Sequence, residues 1–196
     1  MRIIAGTAKG RRLLVPRGRE VRPSSDRVRE ALFSRLGDAV RSARALDLFA
    51  GTGALALEAL SRGAAGAVLV ESSRRALGIL RRNVELAGFS DAARIVPGAA
   101  EAALRKLSSA GERFELVFLD PPWADRVALA AALAALTGRA LLADGALVAV
   151  ESRSGKRVES PQGLRTTWNR SYGGTELTVL RAEKEPSFPA QEEPRP

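Results

Sequence analysis

The stretch that most constrains this chain runs from Ala45 to Gly53 and reads Ala-Leu-Asp-Leu-Phe-Ala-Gly-Thr-Gly. A short apolar run ends at two glycines one residue apart, and the periodic segment Ala54 to Arg62 follows at once. That order predicts strand, tight turn and helix. Gly51 and Gly53 let the backbone come close to a ligand, because a Cβ at either position blocks the approach or forbids the turn. The helix start adds unpaired N–H groups. Farther on, a second apolar run, Ala67 to Val70, ends in Glu71, a carboxylate suited to accept hydrogen bonds from both hydroxyls of a ribose. The first half of the chain reads as a nucleoside site.

Gly51-x-Gly53-x-x-Ala56 also fits the dinucleotide fingerprint, so the turn alone leaves the nucleoside open. Two features favour S-adenosylmethionine. Asp47 precedes the turn, where a carboxylate meets the ammonium of an amino acid but repels a pyrophosphate. The other is at Asp120, far downstream.

With 196 residues, nearly half of them apolar, the chain is long enough for one domain with a real core and a small appendage. It contains no Cys and no His. Thiolate or imidazole zinc sites, Ser-His-Asp triads and cysteine nucleophiles are therefore excluded, and no metal is expected. Met1 to Arg12 lacks the apolar centre of a signal peptide, and the apolar segment Ala128 to Ala143 is too short to span a bilayer. The expectation is a soluble, cytoplasmic protein without a membrane partner.

The net charge of +9 is uneven, because residues 1–44 hold twelve Lys or Arg against four acidic residues, which leaves +8 there. Such asymmetry points to a polyanion. Candidate nucleic-acid-binding residues are Arg2, Lys9, Arg11, Arg12, Arg17, Arg19, Arg22, Arg27 and Arg29. Arg2 to Ala5 and Arg12 to Val15 flank a glycine-rich turn and predict a hairpin. Pro23-Ser24-Ser25-Asp26 reads as a capped helix start, followed by Val28, Ala31, Leu32 and Leu36 at helical spacing. The arginines of this helix either form a solvated face or line a substrate cleft.

From Ala45 onward strands and helices alternate. Strands are expected at Ala67 to Val70, Arg94 to Val96, Phe114 to Leu119 and Ala146 to Val150, with Asp144-Gly145 as a turn before the last. Alternation of this kind gives a parallel sheet with helices on both faces. Arg165 to Asn169 and Thr175 to Arg181, joined at Tyr172-Gly173-Gly174, predict an antiparallel pair closing it. The organisation is thus a basic hairpin-and-helix extension at 1–44, a cofactor-binding catalytic domain at 45–181, and a disordered Pro- and Glu-rich tail at 182–196.

The fourth strand ends in Asp120-Pro121-Pro122-Trp123. Ligands of open α/β sheets bind outside the carboxyl ends of the strands, so this tetrapeptide belongs beside the Asp47 to Gly53 turn. A nucleobase amine is a poor nucleophile because its lone pair is delocalised into the ring. Asp120 and the Pro121 carbonyl can hold its two hydrogens and aim the lone pair, two prolines stiffen the turn, and Trp123 offers a face for stacking. Asp120, Pro121, Pro122 and Trp123 are the candidate catalytic residues.

Taken together, Asp47 to Gly53, Glu71 and Asp120 to Trp123 resemble the motifs of class I S-adenosylmethionine-dependent methyltransferases acting on exocyclic amines. Arg2-Ile3-Ile4-Ala5-Gly6 and Arg22-Pro23-Ser24-Ser25-Asp26-Arg27-Val28-Arg29-Glu30 are similar to one branch, the bacterial 16S ribosomal RNA guanine-N2 methyltransferases that modify guanine 966. The resemblance implies a Rossmann-like, seven-stranded, mostly parallel α/β sheet of order 3-2-1-4-5-7-6. It implies S-adenosylmethionine held by Asp47, Phe49, Ala50, Gly51 and Gly53, by Glu71 and Ser72, and by Ala99 and Ala100. It further implies action on 16S ribosomal RNA in small-subunit particles, and a monomer is expected. A DNA adenine-N6 methyltransferase and a non-catalytic RNA-binding assembly factor are the alternatives.

Overall fold

A computed structural model describes residues 1–16, 26–122, 125–156 and 158–183. The chain opens with an arm at 1–16, where Arg2 and Arg12 face each other as an antiparallel bridge. Helix α1 spans Asp26–Leu36 and leads through a short 3-10 turn into strand β1, Arg44–Asp47. There follow α2 (Ala54–Ser61), β2 (Gly66–Glu71), α3 (Arg74–Ala87), β3 (Ala93–Pro97), α4 (Ala100–Ser109) and β4 (Phe114–Leu119). Helix α5 (Arg126–Gly138), β5 (Leu142–Arg153), β6 (Leu164–Tyr172) and β7 (Thr175–Ala182) complete the described chain. No described helix is long and apolar enough to cross a membrane.

The seven strands form one sheet in the order β3-β2-β1-β4-β5-β7-β6, as the resemblance implies. Strands β1 to β5 pair in parallel, and β7 runs antiparallel to both β5 and β6. The chain steps outward from β1 to β3, then returns to lay β4 against the other side of β1. This reversal opens a crevice between the carboxyl ends of β1 and β4, the place where such sheets bind ligands.

Both faces of the sheet are covered, which explains why β4 is apolar at successive positions. Leu116 and Phe118 point into one cluster, shared with Ile3, Leu13, Phe33, Leu57 and Leu80. Val117 and Leu119 point into the other, with Leu104, Leu107, Leu133 and Leu136. The arm and α1 therefore share a core with the sheet, and Phe33 packs on Phe118 at 5.7 Å between ring centroids.

The arm closes as a hairpin, with Ile3 N donating to the Arg11 carbonyl, Gly10 N to the Ile3 carbonyl and Leu13 N to the Met1 carbonyl, while α2 and α3 take several of its other backbone donors. Two expectations change. Asp144-Gly145 is not a turn before β5 but lies within it, at an irregularity where the β4 register shifts between Phe114 and Leu116, with Gly145 at φ 71°. Ala182 is not the start of a tail: it is buried in β7, paired with Leu164, and Glu183 N donates to the Gly163 carbonyl at 2.9 Å. The rest of the expected tail, the Ser24 and Ser25 cap, and Arg17, Arg19, Arg22 and Trp123 lie outside the described residues.

Candidate active site

Strand β1 delivers Asp47 to the crevice, and the turn to α2 delivers backbone. Gly51 has φ 54° and Gly53, at the start of α2, has φ 80°, both left-handed conformations that favour glycine. Gly53 is also needed for packing, since a Cβ there falls 2.6 Å from Leu80 Cδ1. It lies behind the cavity wall, while Gly51 forms part of the wall.

Asp47 is 1% exposed, and its Oδ1 has no hydrogen-bond partner among the described residues. Burial raises its carboxyl to about 7, against the opposing pull of the Ala56 and Phe49 amides and with a small further push from Glu71. A buried carboxyl oxygen without a donor, at the wall of a cavity, suits a ligand that brings a cationic donor. Glu71 ends β2 and ties the site together, accepting from Gly51 N at 2.8 Å and Ser73 N at 2.6 Å. Two amides leave acceptor capacity on this carboxylate for two ribose hydroxyls.

Asp120 follows β4 across the crevice. Beyond it, Asp125 N–H donates to the Pro122 carbonyl at 2.7 Å, and Asp125 Oδ1 accepts from Ala128 N at 2.9 Å, capping α5. Asp47, Phe49, Ala50, Gly51, Glu71, Ser72, Ala99, Ala100, Asp120, Pro121 and Pro122 all line one cavity of about 990 Å³. The structure thus brings the expected cofactor carboxylates and the expected catalytic turn to one space. Glu101, at the start of α4, also lines it and pairs with Arg105.

Sequence reasoning missed Met1, Thr52, Asp125 and Glu151 on the same walls. Glu151 was findable, because it stands at the carboxyl end of a parallel strand, where site residues gather. Met1 was not: Thr52 Oγ1 contacts its Sδ at 3.8 Å only because the arm folds back over the turn.

Of the candidate nucleic-acid residues, Arg2, Lys9, Arg11, Arg12 and Arg27 are exposed. Arg11 reaches α3 and donates to the Leu86 carbonyl at 3.4 Å. Arg27 lines a cleft of about 550 Å³ with Arg170 and Tyr172 from the β6–β7 hairpin. Arg29 is different. It is 1% exposed and donates to the Arg2 carbonyl at 2.7 Å and to Asp26 at 2.9 Å, so its guanidinium holds arm to helix and is not presented to a polyanion.

The family described as conserved hypothetical protein 95 matches residues 1–181. The chain belongs to this family, a branch of the class I S-adenosylmethionine-dependent methyltransferases. The ribosomal RNA small subunit methyltransferase D of Escherichia coli is 43% identical over 152 residues, which cover 78% of this chain and 74% of that one. The solved structure of a hypothetical protein from Thermus thermophilus is 37% identical, with a TM-score of 0.79 over 94% of this chain and 99% of that one. An RNA methyltransferase from Salinibacter ruber, solved with S-adenosyl-L-homocysteine, shares the fold at 18% identity, with a TM-score of 0.63 over 88% of this chain and 99% of that one. S-adenosylmethionine is the cofactor of this methyltransferase. The residues present fit it: Asp47 Oδ1 is a buried acceptor without a donor among the described residues, Glu71 keeps acceptor capacity beside the amides it takes, and Gly98, Ala99 and Ala100 line the same cavity.

Proposed function

We propose that this methyltransferase acts on the exocyclic N2 of a guanine in 16S ribosomal RNA, the guanine equivalent to position 966, within the small subunit or its precursor. One observation carries the reading: the Asp120-Pro121-Pro122 turn opens on the same cavity as Asp47 and Glu71. The cofactor, when bound, supplies a methyl group already activated by a sulfonium. The chain's own part is to position the amine.

Asp120 and the Pro121 carbonyl accept the two N–H groups of the amine and turn its lone pair toward the methyl group. Their rigidity comes from the prolines and from the Asp125 amide that donates to the Pro122 carbonyl. The surplus proton of the methylated amine leaves to Asp120 or to water. The exposed cations of the arm and Arg27 bind the RNA backbone, and the names of the curated relatives support ribosomal RNA as the acceptor. The protein works as a cytoplasmic monomer on small-subunit particles, whose shape and bound proteins supply much of the selectivity.

The test is transfer from labelled S-adenosylmethionine to small-subunit particles lacking modifications, followed by digestion to nucleosides and mass spectrometry. The expected product is N2-methylguanosine, and Asp120→Ala lowers its formation about 100-fold or more while leaving cofactor affinity intact. N6-methyladenine on added DNA would identify a DNA enzyme. Cofactor binding without transfer to any acceptor would leave an RNA-binding assembly factor.

A further inference from the structure

A second, smaller cavity of about 240 Å³ adjoins the first, and Pro121, Pro122, Asp125 and Glu151 line both. Glu151 is 7% exposed and sits in β5. Leu119, the last residue of β4, pairs with Val150 in register on strands about 4.8 Å apart, so Asp120, just past β4, and Glu151, in β5, are the residues that follow this pair at the same end of the sheet. The pairing of Glu151 with Leu177 of β7 anchors it from the other side. A carboxylate thus stands one strand away from the residue expected to hold the acceptor amine.

The chemistry of the bases gives that carboxylate a meaning. In guanine the amine at C2 is flanked by N1–H, a donor. In adenine and in cytosine the ring nitrogen beside the amine on the Watson–Crick edge is an acceptor. A buried carboxylate beside the amine site therefore favours guanine and opposes the other two, because it would meet their ring nitrogen lone pair to lone pair. Next to N1–H, guanine carries O6, an acceptor. Arg126, Arg153 and Lys156 line the same small cavity and can supply a donor to it.

We propose that Glu151 is the residue that selects the base, accepting N1–H of a guanine seated in the smaller cavity while its N2 amine faces Asp120. The inference rests on the guanine-N2 reading and adds the group that reads the base. It makes Glu151 a specificity residue that touches the substrate and takes no part in methyl transfer.

The experiment uses the full chain and reconstituted particles in which the target guanine is either kept or replaced by 2-aminopurine, which has the same amine but an acceptor at N1. Wild type is expected to prefer guanine about 100-fold or more. Glu151→Gln can turn an amide N–H to the acceptor, so the preference collapses or inverts while cofactor affinity holds. Glu151→Asp keeps an acceptor and retains the preference at a lower rate. An unchanged guanine preference in Glu151→Gln overturns the inference while leaving the N2 reading in place. Absence of N2-methylguanosine with the wild-type enzyme overturns the N2 reading, and this inference with it.

Discussion

At Asp47 the end of β1 holds a carboxyl group that is buried beside the glycine turn and raised to about 7 from an ordinary 3.8. Between these values the folded chain keeps a proton that the unfolded chain has lost. Asp47 therefore favours folding most below 3.8, and stability of the unliganded protein declines as pH rises toward 7. An ammonium at Oδ1 reverses this by favouring the carboxylate, so cofactor binding below pH 7 expels a proton and affinity rises from about pH 6 to pH 8. Calorimetry in two buffers of different ionisation enthalpy reads the released proton. Asp47→Asn removes the release and weakens binding about 10- to 100-fold, while at pH 8 its unliganded form melts no lower than wild type. Glu71 and Asp120 stood out in the sequence because each is an acid that closes an apolar run, beside Ser or Pro, and Asp47 because it is an acid inside an apolar run that leads to two glycines. Arg29, Glu58 and Asn83 were not, because a polar residue on a helix looks the same whether solvent or another segment covers it.

Among the elements, the docking of the arm is the least visible from sequence, and buried side chains of α2 and α3 hold it. Glu58 of α2, fully buried, accepts from Ile4 N at 2.7 Å, Ala5 N at 3.1 Å and Arg62 Nε at 2.7 Å. Ser61 accepts from Ala8 N at 3.0 Å and donates to the Ala5 carbonyl at 2.5 Å. Asn83 of α3 accepts from Leu14 N at 2.7 Å and donates to the Leu14 carbonyl at 3.0 Å and the Thr52 carbonyl at 2.8 Å, bridging arm and glycine turn. Gly6 has φ 83°, and a Cβ there would fall 1.7 Å from the Ser61 carbonyl oxygen. Gly6→Ala is expected to lift the arm, at a loss of at least about 1–3 kcal/mol from backbone strain alone. The loss reads as a lower Tm and as faster hydrogen exchange at Thr7 and Ala8. Strands β1, β2 and β4 could be read from their apolar runs, whereas Asp144-Gly145 carries a turn's composition inside β5 and misplaced its start.

For the whole molecule, the charge excess of residues 1–44 is only partly available to a polyanion. Arg29 is committed to Asp26, and Arg44 pairs with Glu112 at 2.9 Å. Cations outside that segment, Arg153 and Lys156 beside the small cavity and Arg170 beside Arg27, extend the basic surface to the carboxyl edge of the sheet. RNA affinity is expected to fall with salt, with a log–log slope of about −0.7 per neutralised phosphate of single-stranded RNA. Arg27→Glu combined with Arg170→Glu flattens that slope, whereas Arg29→Ala lowers the Tm and leaves the slope unchanged. Filter binding over a salt series, alongside thermal melts, separates the two. The arm's anchorage also governs how such enzymes can be recombined. An arm cut at residue 44 and exchanged for a relative's would arrive without its receptor, because Glu58, Ser61 and Asn83 remain with the recipient. The smallest exchangeable unit is the arm together with α2 and α3, and with them goes the glycine turn that forms one wall of the large cavity.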